Sequence, residues 1–157
     1  MTCSSIMRTD LTKVSADTTV GDTIAILVKN HFRSVPVVSD EGRLIGQFGV
    51  HTVLTLAVPA ATQIAREGPM TDISFMDDHF IDLRRRLAKV WDEPVRKYAY
   101  KAMPSLNPSD SLTRTLQHLS QTQDNIAVVD PDTRILVGIV SYWDVLDRLA
   151  DGLKAGK

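Results

Sequence analysis

Apolar residues recur at helical spacing in two separate stretches of the chain. Val20, Ile24, Leu27 and Val28 predict a helix over Thr19–Asn30, and Leu112, Leu116 and Leu119 predict one over Ser111–Thr122. A short β-rich run follows each, Ser34–Val38 or Ile126–Val129. Then come a polar turn (Ser39–Arg43 or Asp130–Arg134) and a second run, Leu44–Phe48 or Ile135–Val140. Two extended runs about a polar turn read as a hairpin. Helical spacing returns over Val50–Val58 and Tyr142–Leu153, where Val145, Leu146 and Leu149 form the expected apolar face of the later helix. With a short lead-in strand ahead of it, each stretch is a β-α-β-β-α unit.

The two units are copies of one pattern. Val14–Leu54 and Leu106–Leu146 share their rhythm at an offset of 92 residues, which relates Val20 to Leu112, Gly46 to Gly138 and Thr52 to Asp144. The offset slips by one near Val35 and Ile126, in a turn. The expected divisions are 1–58 for the first unit, 59–93 for a linker and 94–157 for the second. The linker region is too long for a structureless connection. Within it Phe80, Leu83, Leu87, Val90 and Trp91 predict one face of a helix that begins after the acids Asp77 and Asp78 and carries Arg84–Arg86 in its middle, as a solvated face or a phosphate clamp.

The second copy carries the most specific chemistry. Ser141 closes an apolar strand and Asp144 lies three residues on, so Ser-x-x-Asp is placed to cap the last helix. A second role is compatible with the first. A helix start offers free N–H groups and partial positive charge, and an ionised carboxylate accepts two hydrogen bonds, matching the hydroxyls of a ribose cis-diol.

The series Gly138-Ile-Val-Ser141-Tyr-Trp-Asp144-Val, with VPVVSDEGRLIG in the first copy and IAVVDPDTRILVGIVSYWDVL in the second, resembles the CBS-domain family, named after a domain of cystathionine β-synthase. The resemblance covers about four fifths of the chain. It implies an α/β fold in which two units pack sheet to sheet about a pseudo-twofold axis, with a partly helical linker insertion. It further implies clefts between the units for adenosine-containing ligands: AMP, ADP, ATP or S-adenosylmethionine. In the family's geometry the cleft of Asp144 and Ser141 is completed by His31, Arg33, Ser34 and Val35 and by the Leu11–Val14 segment, which contains Thr12. Arg33 and His31 would meet phosphate there, or form a solvated turn. The first copy departs from the motif, reading Gly46-Gln-Phe-Gly49-Val-His-Thr52-Val, with Gly49 in place of the hydroxyl and Thr52 in place of the acid. The related cleft would set Thr52 against Gln123, Asp124 and Asn125, so one competent cleft per chain is expected. The second lead-in has Tyr98 or Ala99 where the family often has Met, leaving its register open.

Composition narrows the remaining classes. Eighteen Lys and Arg against nineteen Asp and Glu give a net charge of −1 over 157 residues, offering no global field for nucleic acid or an anionic membrane. The longest mostly apolar stretches, Val53–Ala61 and Ile135–Val140, fall far short of the ~20 residues of a membrane span. Residues 1–10 lack a secretory apolar region, and Cys3 has no internal disulfide partner, so the cytoplasm is the default. Cys3, in an N-terminal segment expected to be mobile, reads as incidental. His31, His51, His79 and His118 are scattered, no zinc-ligand spacing occurs, and neither a nucleophile elbow nor a phosphate loop is present. The sequence therefore favours a non-enzyme that senses a ligand, dimerises, and biases a regulated protein or transporter. The alternative is a dimerisation module that has lost its ligand.

Overall fold

Two helix caps start the two units in the same way. Thr19 Oγ1 accepts the Asp22 N–H at 3.1 Å and Ser111 Oγ accepts the Arg114 N–H at 3.2 Å, satisfying donors that the first helical turn leaves unpaired. The computed structural model describes residues 1–59, 79–101 and 103–156. In it the first unit comprises β1 (Val14–Ser15), α1 (Val20–Asn30), β2 (Ser34–Val38), β3 (Leu44–Gly49) and α2 (Val50–Ala57). The linker contributes α3 (Phe80–Ala88). The second unit comprises β4 (Ser105–Leu106), α4 (Leu112–Gln121), β5 (Ile126–Val129), β6 (Leu136–Val140) and α5 (Tyr142–Ala155).

Each unit builds a three-stranded sheet, ordered β1-β2-β3 or β4-β5-β6, with a parallel first pair and an antiparallel second pair. Both hairpins carry an irregularity at the same place, between Val37 and Val38 and between Val128 and Val129. The sheets meet through Val38, Ala127, Val129 and Leu136, with Leu11 and Leu44 against them. The hairpin tips are tied directly: Leu44 N–H donates to the Arg134 carbonyl at 3.1 Å, and Leu136 N–H to the Gly42 carbonyl at 3.0 Å.

The lead-in segments are exchanged between units. Cys3, which is fully buried, packs with Leu106, Leu119, Ile126 and Val140 of the second unit, while Val95 packs with Val20, Leu27, Val35 and Phe48 of the first. The N-terminal segment is therefore part of a core, contrary to the expectation that it is mobile, and burial pushes the Cys3 thiol up from its ordinary value. The exchange obeys the 92-residue offset. Arg8 bridges Ile139 and Tyr100 bridges Gln47 in antiparallel fashion, so Ala99 occupies the place opposite Gly46 that Met7 occupies opposite Gly138. This fixes the register of the second lead-in. Glycine is required at position 46, where a Cβ would come 2.7 Å from the Tyr100 carbonyl oxygen; at position 138 a Cβ would meet the Met7 side chain at 2.7 Å and the Arg8 carbonyl oxygen at 3.2 Å, so Met7 would have to shift.

Three helices differ from their predicted faces. On α1 Val20 and Leu27 are buried, but Val28 is 67% exposed. Helix α3 ends at Ala88, so Val90 and Trp91 follow it in a turn rather than on its face, and Phe80 is 78% exposed. Leu83 and Leu87 are half-buried as α3 lies along α2. The first-turn acid is Asp82, whose carboxylate accepts the His79 N–H at 3.1 Å; Asp77 and Asp78 lie outside the described residues. Arg84 and Arg85 are exposed, but Arg86 is half-buried and donates to the Ala57 carbonyl at 3.1 Å. On α5 only Val145 of the expected face joins the core. Leu146 and Leu149 are exposed, as are Trp143 and Leu153.

Candidate functional site

The turn from β6 into α5 concentrates polar groups where the two units meet. Ser141 Oγ accepts the Asp144 N–H at 3.2 Å and donates its proton to Asp144 Oδ2 at 2.7 Å. The cap is thus made, and it orients the carboxylate as well. Asp144 Oδ1 accepts from Arg8 Nη2 at 2.7 Å, a charge-assisted pair in which the Asp144 side chain keeps 22% of its exposure and Arg8 keeps 55%. Arg8 is anchored by main-chain bonds in both directions with Ile139, at 2.8 and 3.0 Å, two residues before Ser141.

A cavity of about 230 Å³ opens on this group, lined by Asp144, Ser141, Arg8, Thr12, Ser34 and Asn125, with Phe32 and Pro36 as apolar walls. A larger one of about 540 Å³ adjoins it and is lined by His31, Arg33, Gln123, Asp124 and Trp143. Arg8, Phe32, Asn125 and Ser141 border both. Of the sequence-derived residues, Asp144, Thr12 and Ser34 line the smaller cavity, His31 and Arg33 the larger, and Ser141 both. Val35 is elsewhere: 1% exposed, it packs in the first core, because side chains alternate along β2 and Ser34 and Pro36 take the cavity face. Gln123, Asp124 and Asn125, expected opposite Thr52, line the larger cavity beside His31 and Arg33, since the turns before β2 and β5 lie side by side.

Those turns are joined by a polar cluster. Asp124 accepts from Ser34 Oγ at 2.6 Å, from Tyr100 Oη at 3.1 Å and from the Asn125 N–H at 2.7 Å; buried Gln47 lies 3.2 Å from the same Tyr100 oxygen. Burial, then the Asp124 charge, push the Tyr100 hydroxyl up to about 12. Tyr100 corresponds to Arg8 by the repeat offset, so the equivalent crossing carries a phenol in one unit and a cation in the other. The missing hydroxyl of the first motif also has a steric cause. A Cβ at Gly49 would lie 2.6 Å from the Arg33 carbonyl oxygen, which is held by the Val50 N–H at 2.8 Å.

Arg8 was not among the residues singled out from the sequence. Its signal is the repeat itself: once the lead-ins are exchanged, the residue opposite Ile139 must border the Ser141 turn. Among the described residues no cluster of three His, Cys, Asp or Glu side chains is arranged for a metal ion, and no helix is long and apolar enough to cross a membrane.

The family model for the CBS domain matches residues 3–58 and 95–151, one match per repeat. No curated protein matches the chain. Among solved structures, CBSX2 from Arabidopsis thaliana superposes with a TM-score of 0.73 at 22% identity, covering 98% of this chain and 96% of that one. A structure of CBSX2 in complex with AMP gives 0.68 at 23% identity, covering 98% of both chains. Protein MJ1004 from Mathanocaldococcus jannaschii gives 0.68 at 19% identity; the match covers 96% of this chain but 60% of that protein. These likenesses reproduce the two-unit fold, and the family match spans both of its repeats: the chain belongs to the CBS-domain family, as a tandem pair.

Proposed function

We propose that the protein is a regulatory module that binds an adenosine-containing nucleotide in the Asp144 cleft and passes the binding on to a partner by a change of conformation. The observation that carries this reading is the Asp144 carboxylate, oriented by Ser141 at the mouth of a cavity whose walls include Thr12, Ser34 and Phe32. A carboxylate held there suits a ribose diol, and Arg33 and His31 in the adjoining cavity suit phosphate. The AMP complex of the structurally similar CBSX2 supports the ligand class. The module acts by differential affinity for two conformations rather than by catalysis. Exposed Trp143, Leu146, Leu149 and Leu153 on α5, with Val50 and Leu54 on α2, support a homodimer.

The same apolar faces favour a second reading, a dimerisation module without a ligand. A thermal-shift panel of AMP, ADP, ATP, S-adenosylmethionine and adenosine separates the two. A ligand at 100 times its Kd adds about 2.7 kcal/mol, a rise of roughly 5–10 °C in a domain of this size. Calorimetry on the responder should give one site per chain, since Thr52 offers no carboxylate. If no compound moves the transition at millimolar concentration, the dimerisation reading replaces the regulatory one.

A further inference from the structure

We propose that Arg8 is a specificity-determining residue: it closes the Asp144 carboxylate to uncharged ligands and, once displaced by ribose, becomes a phosphate ligand of the same cleft. The inference rests on the nucleotide reading above and adds to it a preference among adenosine compounds.

Both oxygens of Asp144 are in use. Ser141 donates to Oδ2 and Arg8 to Oδ1, each at 2.7 Å, and the side chain is otherwise largely covered. The Ser141 bond belongs to the helix cap and stays when a ligand enters. A ribose diol therefore approaches through the space Arg8 fills, and the ion pair must open. Arg8 cannot leave the site as a whole, because its main chain is paired with Ile139 in both directions. Only its half-exposed side chain swings, and its position on the wall common to both cavities keeps the guanidinium beside the entering ligand.

What the guanidinium finds after it swings decides the selectivity. Of the other carboxylates near it, Asp10 is 3.9 Å away and 88% exposed, so that contact is screened by water, and Asp147 borders a cavity of about 360 Å³ on which Arg148 also opens. Asp124 in the larger cavity already accepts three hydrogen bonds from Ser34, Tyr100 and Asn125. A ligand phosphate offers two charged oxygens that the planar guanidinium fork engages together. Adenosine opens the ion pair and gives nothing in exchange, and the sulfonium cation of S-adenosylmethionine is placed among Arg8, Arg33 and His31. The equivalent crossing in the other unit holds Tyr100, committed to Asp124, so this selectivity is confined to the Asp144 cleft.

Isothermal calorimetry with AMP and adenosine on the full chain, comparing wild type with Arg8→Ala and Arg8→Lys, tests the inference. Wild type is expected to bind AMP at least about tenfold more tightly than adenosine. Arg8→Ala should bind adenosine about two- to fivefold more tightly than wild type, the value of an exposed ion pair, while losing about tenfold or more in AMP affinity. Arg8→Lys, which keeps the charge without the bidentate fork, should retain a reduced preference for AMP. If Arg8→Ala weakens both ligands equally, or leaves their ratio unchanged, while wild type binds AMP, the role of Arg8 is overturned and the nucleotide reading survives. If neither wild type nor Arg8→Ala binds either compound, the role of Arg8 is overturned, and the nucleotide reading fails with it only when the thermal-shift panel also finds no responder.

Discussion

Asp144→Asn separates the cap from the ligand contact, because it keeps the shape of the side chain and one acceptor oxygen while removing the charge. The retained oxygen continues to accept from Ser141 Oγ, and the Asp144 N–H still reaches that hydroxyl, so the cap stays closed. Two favourable terms are lost. A negative charge in the first turn of α5 contributes about 0.3–1 kcal/mol, and an ion pair with a half-exposed Arg8 contributes about 0.2–1 kcal/mol. Together they predict a loss of ~1 kcal/mol, or roughly 2–4 °C in the thermal transition of a chain this long.

Nucleotide binding should suffer more than folding. A hydrogen bond to a charged acceptor contributes ~1.5–3 kcal/mol and one to a neutral acceptor ~0.5–1.5 kcal/mol, so two ribose hydroxyls lose roughly 2–3 kcal/mol between them. Part of this is offset, because the variant has no Arg8 ion pair to open. The net expectation is a Kd raised about tenfold to a hundredfold. Melting by circular dichroism and calorimetry with the ligand that responds in the thermal-shift panel measure the two effects on one preparation. A stability loss accompanied by a Kd within a factor of two of wild type would refute the site assignment and leave Asp144 as a helix cap.

Two further outcomes test the geometry around the cleft. Gly49→Ala, a first step toward restoring the motif in the first copy, forces its Cβ to 2.6 Å from the Arg33 carbonyl and should cost ~1–3 kcal/mol, seen as a transition lowered by roughly 3–10 °C; an unchanged or raised transition contradicts the steric account. The Tyr100 hydroxyl, pushed up to about 12, keeps its proton in the folded chain after the unfolded chain has released it near the ordinary value of 10.0, so folding stability falls as pH rises between those values. An ultraviolet titration should accordingly lose its component nearest 12 in Tyr100→Phe and show it moved downward in Asp124→Asn, and an unaltered curve in both variants rules out the Asp124–Tyr100 pairing.

The elements of the fold were legible because each unit switches between two periods, and period is a local property. The helices starting at Thr19 and Ser111 and both hairpins follow directly from it. The face of α3 was misjudged at Phe80 and Trp91 because periodicity gives a direction only while the helix continues, and α3 stops at Ala88. The side chain of Val35 lies in the first core for a related reason: a strand sends alternate side chains to opposite faces, so those of Ser34 and Val35 do not both line the cavity.

Arg8 was hidden by a different cause, the exchange of lead-ins, since its partner Asp144 lies 136 residues away and in the other repeat. The repeat nevertheless contained the means of finding it. Gly46 and Gly138 are related by the offset, and a glycine at the same point of two strands marks a place where another segment can approach closely. The segments available to cross are those preceding β1 and β4, which places position 8 against one strand and position 100 against the other. Read with that constraint, the repeat assigns an arginine to the cleft whose motif ends in Asp144 and a tyrosine to the cleft whose motif ends in Thr52. The asymmetry between the two units therefore has two sources, Asp144 against Thr52 and Arg8 against Tyr100. Both differences set the turn of Asp144, with its carboxylate and guanidinium, apart from its counterpart in the first unit.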